Sequence, residues 1–375
     1  MSEVRCRACR SRNGSVVLDL GDQPACDYFP AMDDRGPDPV YPLQMWLCAA
    51  CGLAQLVADP TLPEEPRGAE PAALVVQARD AVERVSAAGW LRAGARAAEY
   101  GSPHGGSWSA LLVERGLQLV DSPTQADVVL DCFGLMHSPD QAGAMAERAG
   151  RVATGGVLLI QYHSLATILR RGQWNSLRHG HFAYYSTTAL IGMVAANGFT
   201  PRSAWRFDLY GGTILLAATR GAESGSAAHS SMRALIADEE ALGVTDPRRV
   251  NGLQHTASSS VHGVHDWLTR QKAAGATVLG YGAASRAVAL LCRAGVDRHL
   301  LPAIADASPA KQGCRMPGTD IPVIRPEELV DSRPDSVVLL LPDLLDEVRV
   351  GLPQIESSGG RWVDVESLLS GIRET

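Results

Sequence analysis

The sequence predicts an α/β protein in three parts: a small module built on cysteines, then two doubly wound units in tandem. Three observations lead there. Two Cys-x-x-Cys pairs, Cys6/Cys9 and Cys48/Cys51, bracket the N-terminal region. From residue 117 short apolar runs alternate with helix-period segments. At 275–282 a strand and a Gly-x-Gly turn lead into a helix and begin the alternation again. The frame permits this, because 375 residues exceed one typical domain and an apolar share of 46% builds real cores.

The charge balance narrows the partners. A net charge of −7 offers no basic face to nucleic acid or anionic lipid. The opening MSEVRCRACR has no apolar stretch behind its charges, and no run of about 18 apolar residues follows. The expectation is a cytoplasmic protein with no nucleic-acid or membrane partner, its oligomeric state open.

In a reducing compartment, paired Cys-x-x-Cys knuckles point to zinc rather than disulfides. A two-residue gap aims both thiolates at one ion, and two knuckles complete a tetrahedral sulfur shell. That shell leaves no open position, so Cys6, Cys9, Cys48 and Cys51 are expected to hold a structural Zn2+. The competing reading, a redox pair, requires a preceding strand in a βαβ unit, which neither knuckle has. Cys26, between the knuckles, reads as a free thiol.

Along the chain, a Pro-rich loop (TLPEEPRGAEP) precedes a helical stretch, AALVVQARDAVERVSAAGWL. LQLV (117–120) and DVVLDCF (127–133) read as buried strands, QAGAMAERAGRVA (141–153) as a helix and GGVLLIQY (155–162) as a strand. STTALIGMVAANG (186–198) has helical period and stops on Asn-Gly. SAWRFDL and TILLAATR form a closing hairpin around Gly211-Gly212. Strands separated by helices imply a mostly parallel sheet covered on both faces. Residues 221–270 are polar and helical, a connector. ATVLGYGAASRAVALLCRAG, PAIADAS, SVVLLLP and RWVDV then supply a second α/β unit. The expected division is 1–60, 61–220, 221–270 and 271–375.

Three constellations carry chemistry. The first is Glu99-Tyr100-Gly101-Ser102-Pro103-His104-Gly105-Gly106, a glycine turn before a helix, where a ligand meets backbone N–H groups; Asp121 ends the next strand, a place for a ribose-binding carboxylate. A purely structural turn is the alternative. The second is a histidine group: His137 and His163 after strands, and Arg178-His179-Gly180-His181 with Tyr184 and Tyr185 behind. Neutral imidazole exchanges protons near pH 7, and tyrosine orients hydroxyls. Surface or capping histidines, or a His-x-His metal pair, are the alternatives. The third is Gly280-Tyr281-Gly282-Ala283-Ala284-Ser285-Arg286, with Asp306 and Lys311 after it, suited to a diphosphate.

In this order the parts resemble the sugar-nucleotide C-methyltransferases that act on dTDP-linked 4-keto deoxysugars. GYGAASRAVALL, DASPAKQGCRMPGTDIPVIRPEEL, RPDSVVLLLP and GGRWVDV match that family's motifs in order. So do LGDQPACDYF, LMHSPD, GGVLLIQYHSL, RHGHFAYYSTTAL and YGGT. The resemblance implies a zinc module, an S-adenosylmethionine domain and a C-terminal Rossmann-like domain that helps hold the sugar nucleotide. It implies that His181 is the general base forming an enolate at C3, beside the C4 ketone, with His137 near the sugar. Glu99, Gly101 and Gly105 match the cofactor motif, and Asp121 its ribose acid. His163, Tyr210, Tyr281, Arg286 and Lys311 are the expected substrate-binding residues, with Arg178 and Tyr184 joining the histidines in catalysis.

Three departures are visible. Arg178 stands where the family has tyrosine and Gly180 where it has glutamate. Asp121 is separated from DVVLDCF by only Ser122–Ala126, where the family has roughly one more strand and helix. Two function classes therefore stay open. One is C-methyl transfer to a keto-sugar nucleotide. The other is a relative without the methyl donor, which epimerises or isomerises a keto-sugar through the same enolate or only binds a sugar nucleotide.

Overall fold

The computed structural model describes residues 4–34, 36–59, 70–103, 105–221 and 228–369. The Pro-rich loop up to residue 69, His104 and the connector's first Ser-rich stretch (222–227) lie outside the described residues.

The N-terminal region forms an antiparallel sheet that sequence reading had not assigned. Strands β1 (Gly14–Pro24), β2 (Val40–Cys48) and β3 (Ala54–Leu56) pair in order, and β8 (Ala183–Tyr184) arrives from far along the chain to pair with β3. Both knuckles flank this sheet and close alike. Arg10 N–H donates to the Cys6 carbonyl and Gly52 N–H to the Cys48 carbonyl, with Arg10 (φ 63°) and Gly52 (φ 73°) left-handed behind the second cysteine of each pair.

The second sheet has the order β5-β4-β6-β7-β10-β9. Here β4 is Arg96–Gly101, β5 Gln118–Leu119, β6 Ala126–Cys132, β7 Val152–His163, β9 Phe199–Phe207 and β10 Thr213–Arg220. The first four strands run parallel, while β10 lies antiparallel to both β7 and β9, as the closing hairpin predicts. Helices α1 (Ala72–Ala87), α2 (Ser109–Glu114), α3 (Gln141–Arg151), α4 (Leu165–Arg171) and α5 (Thr187–Ala196) connect and cover it. Local chemistry marks their ends. Asp140 caps α3 by accepting from Gly143 N–H, Ser186 caps α5 by accepting from Ala189 N–H, and Gly172 (φ 63°) stops α4. The strand expected at 117–120 shrinks to two residues at the sheet edge, and nothing follows it but a turn before β6.

The connector is helical: α6 (Ala228–Leu242), α7 (Pro247–Val250) and α8 (Gly252–Ala273). Beyond it β11 (Val278–Tyr281), β12 (Ile304–Ala305), β13 (Val323–Ile324), β14 (Ser336–Leu339) and β15 (Arg361–Asp364) form an all-parallel sheet in the order β13-β12-β11-β14-β15, with α9 (Ser285–Arg293) after β11. No helix among the described residues is long and apolar enough to cross a membrane.

The N-terminal sheet is the wedge between the other two. Trp46, Cys48 and Leu53 share a core with the second sheet, whereas Val17, Leu18, Leu43, Met45 and Leu47 share one with α8 and the C-terminal sheet. A buried ion pair fixes the turn that leaves β6. Asp131, fully buried, accepts from Gly134 N–H (2.9 Å) and Leu135 N–H (2.9 Å) and pairs with the Arg148 guanidinium from α3. Burial pushes the Asp131 carboxyl up while the Arg148 charge pulls it down. Replacing one partner of such a pair leaves an uncompensated charge, so Arg148→Ala is expected to lower unfolding free energy by about 3–5 kcal/mol in urea titration.

Candidate functional site

One cavity of about 180 Å³ opens between the second sheet and the C-terminal sheet. His137, His163, Arg178, His181 and Tyr210 line it from the first side; Ser285, Arg286, Lys311 and Asp343 line it from the second. Ser102, Gly105, Phe133 and Met136 close its far end at the glycine turn.

Each histidine is placed by a different device. His137 ends the 3-10 turn Leu135–His137, whose start Asp131 holds, and its Nδ1 bonds the Gly180 carbonyl at 3.0 Å. His181 precedes β8, so the N-terminal sheet fixes its position. Phe182 N–H donates to the Met136 carbonyl (2.8 Å), and the Phe182 carbonyl accepts from Leu56 N–H. Arg7, inside the first knuckle, places its guanidinium 4.9 Å from the Phe182 ring centroid. Gly180 has φ 80°, which accounts for glycine where the resemblance expects glutamate. The His137 and His181 rings meet edge to face with centroids 4.6 Å apart.

Arg178 joins the two halves. Its Nε and Nη2 lie 2.9 and 2.7 Å from His181 Nε2, and its Nη1 donates to Ser285 Oγ at 2.8 Å. A guanidinium only donates, so His181 Nε2 is the acceptor and its ring proton sits on Nδ1. His163 is half-buried; desolvation, then the Arg286 and Arg178 charges, push it down to about 3. It is a neutral hydrogen-bonding ring at neutral pH, with Nε2 buried and unpartnered. Lys311 donates to the Ala283 carbonyl (3.0 Å) and stands over the Phe29 ring. Asp306 accepts from Ala283 N–H (2.7 Å) and Ser308 N–H (2.8 Å), tying the Gly-x-Gly turn in place.

Other expected residues fall elsewhere. Tyr184 is buried behind the loop, where its hydroxyl accepts from Arg178 N–H (3.0 Å), so it supports the loop and does not face the cavity. Tyr281 packs edge-on against Trp362, outside the cavity lining, because β11 turns that side chain toward the far helical layer. Asp121 is exposed beyond the edge strand β5. Glu99 accepts from Trp108 N–H and the Ser107 and Ser109 hydroxyls, anchoring the start of α2.

Sequence reading missed Ser285, Asp343, Phe133 and Glu70. Ser285 lies in the quoted glycine turn, and Asp343 follows β14, where strand ends place functional groups. Phe133 and Tyr210 are left-handed (φ 58° and 54°), a cost paid at the cavity wall and invisible in sequence.

Two groups implied by the resemblance are tested by these residues. The four cysteine sulfurs lie within 4.8 Å of one another, with Cys6–Cys51 at 3.5 Å and Cys9–Cys48 at 3.6 Å. A tetrahedral S₄ zinc site needs about 3.8 Å between sulfurs, so the set fits. The hydrogen bond with Cys51 pulls Cys6 down to about 5. For S-adenosylmethionine, the space before Gly101 is open, and Ser102 and Gly105 line the same cavity as the histidines, so the glycine turn leaves room for it. On the adenosine side Asp121 stands alone at the edge. Glu70 also accepts from Gly106 N–H (2.7 Å), and Leu74 packs on Gly106.

Two outcomes are expected. Chelation of zinc, or Cys48→Ser, should lower the thermal midpoint and also loosen the His181 loop, read as faster amide exchange over 178–184. Because the folded His163 binds its proton far below its unfolded value of about 6.5, stability is present above that value and lost as pH falls toward 3. His163→Gln should flatten that acid limb in thermal melts across pH.

Two regions of this chain match known families, and the second begins inside the second sheet and runs through the connector. Residues 6–61 match a zinc binding domain family, and residues 208–365 match the C-methyltransferase C-terminal domain. The C-methyltransferase NovU of Streptomyces niveus is 22% identical over 398 aligned positions, covering 96% of this chain and 94% of NovU. Among solved structures, magnesium protoporphyrin IX methyltransferase ChlM from Synechocystis PCC 6803 is 11% identical over 40% of this chain and 84% of its own, at TM-score 0.31. N-methyltransferase NodS from Bradyrhizobium japonicum WM9 is 14% identical over 40% of this chain and 88% of its own, at TM-score 0.28. Likeness at those scores carries no argument. What this chain shares with C-methyltransferases is thus a zinc binding domain match at one end, a C-methyltransferase C-terminal domain match at the other, and an alignment with NovU along nearly the whole length.

Proposed function

We propose that the chain transfers a methyl group to carbon on a nucleotide-linked keto-sugar, dTDP-linked by the family resemblance, with His181 as general base. The observation that carries this is the meeting of His137, His181 and Arg178 with Arg286 and Lys311 in one cavity. Within it, a proton-accepting imidazole and a diphosphate-binding pair face each other.

The sugar carbonyl makes the neighbouring C–H acidic. As its oxygen gains charge, Arg178 turns an N–H from His181 Nε2 to that oxygen. The same movement frees the Nε2 lone pair to take the proton. His137, tethered to the Gly180 carbonyl, holds the His181 ring edge-on. His163 stays neutral and bonds a sugar hydroxyl, while Tyr210 covers the ring. Arg286 and Lys311 hold the diphosphate. Glu99, Gly101, Gly105 and Asp121 are the residues that would hold S-adenosylmethionine, which when bound supplies an electrophilic methyl group. Cys6, Cys9, Cys48 and Cys51 would hold the structural zinc, stiffening the sheet behind His181. The division into a zinc module (1–60), a cofactor unit (61–220), a connector (221–270) and a sugar-nucleotide unit (271–375) belongs to the same reading, and the three separate sheets support it.

A second reading has its own support. Glu70 occupies the Gly106 N–H, and β5 is an open edge where an adenosine wall is expected. A donor-free enzyme that epimerises or isomerises the keto-sugar through the same enolate fits those two facts.

Calorimetry with S-adenosylmethionine and S-adenosylhomocysteine separates the readings: methyl transfer requires saturable binding of both, and no heat at millimolar ligand sinks it. Incubation of a dTDP-keto-sugar in deuterated water should show exchange beside the carbonyl. His181→Ala should slow that exchange by about 10²–10⁴-fold, and an unchanged rate removes His181 as the base.

A further inference from the structure

The C-terminal wall of the cavity holds a buried cation whose two carboxylate neighbours stand at ion-pair distance but outside hydrogen-bond reach. Arg286 is 9% exposed, and its Nε has no hydrogen-bond partner. Its Nη1 stands 4.0 Å from Asp343 and its Nη2 3.9 Å from Glu366, beyond hydrogen-bond distance. A phosphate would satisfy this fork directly.

Asp343 has a second task. Its Oδ1 accepts from Gly211 N–H at 3.0 Å, the residue after left-handed Tyr210. Tyr210 packs edge-on against Phe133, 6.2 Å between centroids, and Phe133 is left-handed too. Two such residues in contact persist only where surrounding structure holds them. Asp343 is a hold that reaches them from the C-terminal sheet.

We propose that Asp343 is a positioning residue that couples the diphosphate end of the site to its sugar end, one carboxylate oxygen fixing the Tyr210–Gly211 turn and the other facing Arg286. This rests on the sugar-nucleotide reading. A phosphate that draws Arg286 away leaves Asp343 bonded to Gly211 alone, so occupancy of one end is felt at the other. The carboxylate's charge and its acceptor role are separable, because Asp343→Asn keeps an acceptor oxygen without charge and Asp343→Ala keeps neither.

The test uses the full chain, with dTDP as the probe. Calorimetry should show dTDP binding tightened by about threefold to tenfold in both Asp343→Asn and Asp343→Ala, and the gain should vanish in an Arg286→Gln background. Hydrogen–deuterium exchange over 209–213 should change on dTDP binding in the native chain. It should be accelerated by Asp343→Ala and not by Asp343→Asn. Equal exchange in the two variants, or a gain in affinity that persists without Arg286, overturns the proposal. A native chain that melts normally but binds no dTDP overturns the sugar-nucleotide reading beneath it. Native binding with Asp343 variants indistinguishable from it overturns this proposal alone.

Discussion

The short pairing of β8 with β3 is the contact on which the site depends. Ala183 and Tyr184 belong by sequence to the second sheet's connections, yet they complete the N-terminal sheet. That exchange clamps the segment carrying Arg178 and His181 between the cysteine knuckles and the turn after β6. From the knuckle side, Arg7 covers the Phe182 ring; from the other, Met136 accepts the Phe182 N–H. A two-residue strand contributes little free energy by itself. Its effect comes from being the last strand of a sheet buried on both faces, where slipping by one residue would turn every side chain around.

The cysteine cluster, which does not line the cavity, bears on the position of His181 through this clamp. The knuckles set the edge of the sheet, the sheet sets β8, and β8 sets His181. Electrostatics complete the arrangement. Arg178, Arg286 and Lys311 converge on a cavity whose lining carboxylate is Asp343, and Arg286 and Lys311 are buried away from bulk water. Cations brought together in this way repel one another, a cost that a diphosphate offsets. Arg178 is the shared element, bonded to His181 on one side and to Ser285 beside the C-terminal sheet on the other.

The far end of the cavity is built differently. The glycine turn keeps its positive φ values at Gly105 and Gly106, yet Glu70 and Leu74 of this same chain lie on it. The edge strand β5, two residues long, ends the sheet. The histidine end of the cavity is thus assembled from mutually bonded groups, and the glycine-turn end from a turn and an exposed edge.

Much of this was legible before any coordinates. Cys-x-x-Cys spacing is local geometry, so four cysteines announced their cluster. Alternating apolar runs announced the two α/β units, and histidines after strands announced one wall of the cavity, because strand ends are where side chains leave the sheet toward a crevice. Tyr184 and Tyr281 were misplaced, since a residue's neighbour in sequence says nothing of which face it presents once its strand joins another sheet. Strand β1 was unread because bulges at Val16–Leu18 and Asp19–Asp22 break its alternation. The sequence by itself determined the ligand chemistry and the order of parts, both written in short spacings. Only the tertiary structure decided that β8 crosses to the first sheet, that Arg178 bonds His181 Nε2, and that Asp343 reaches Gly211. Those are contacts between residues 100 or more positions apart in two of the three cases, and no local pattern encodes them.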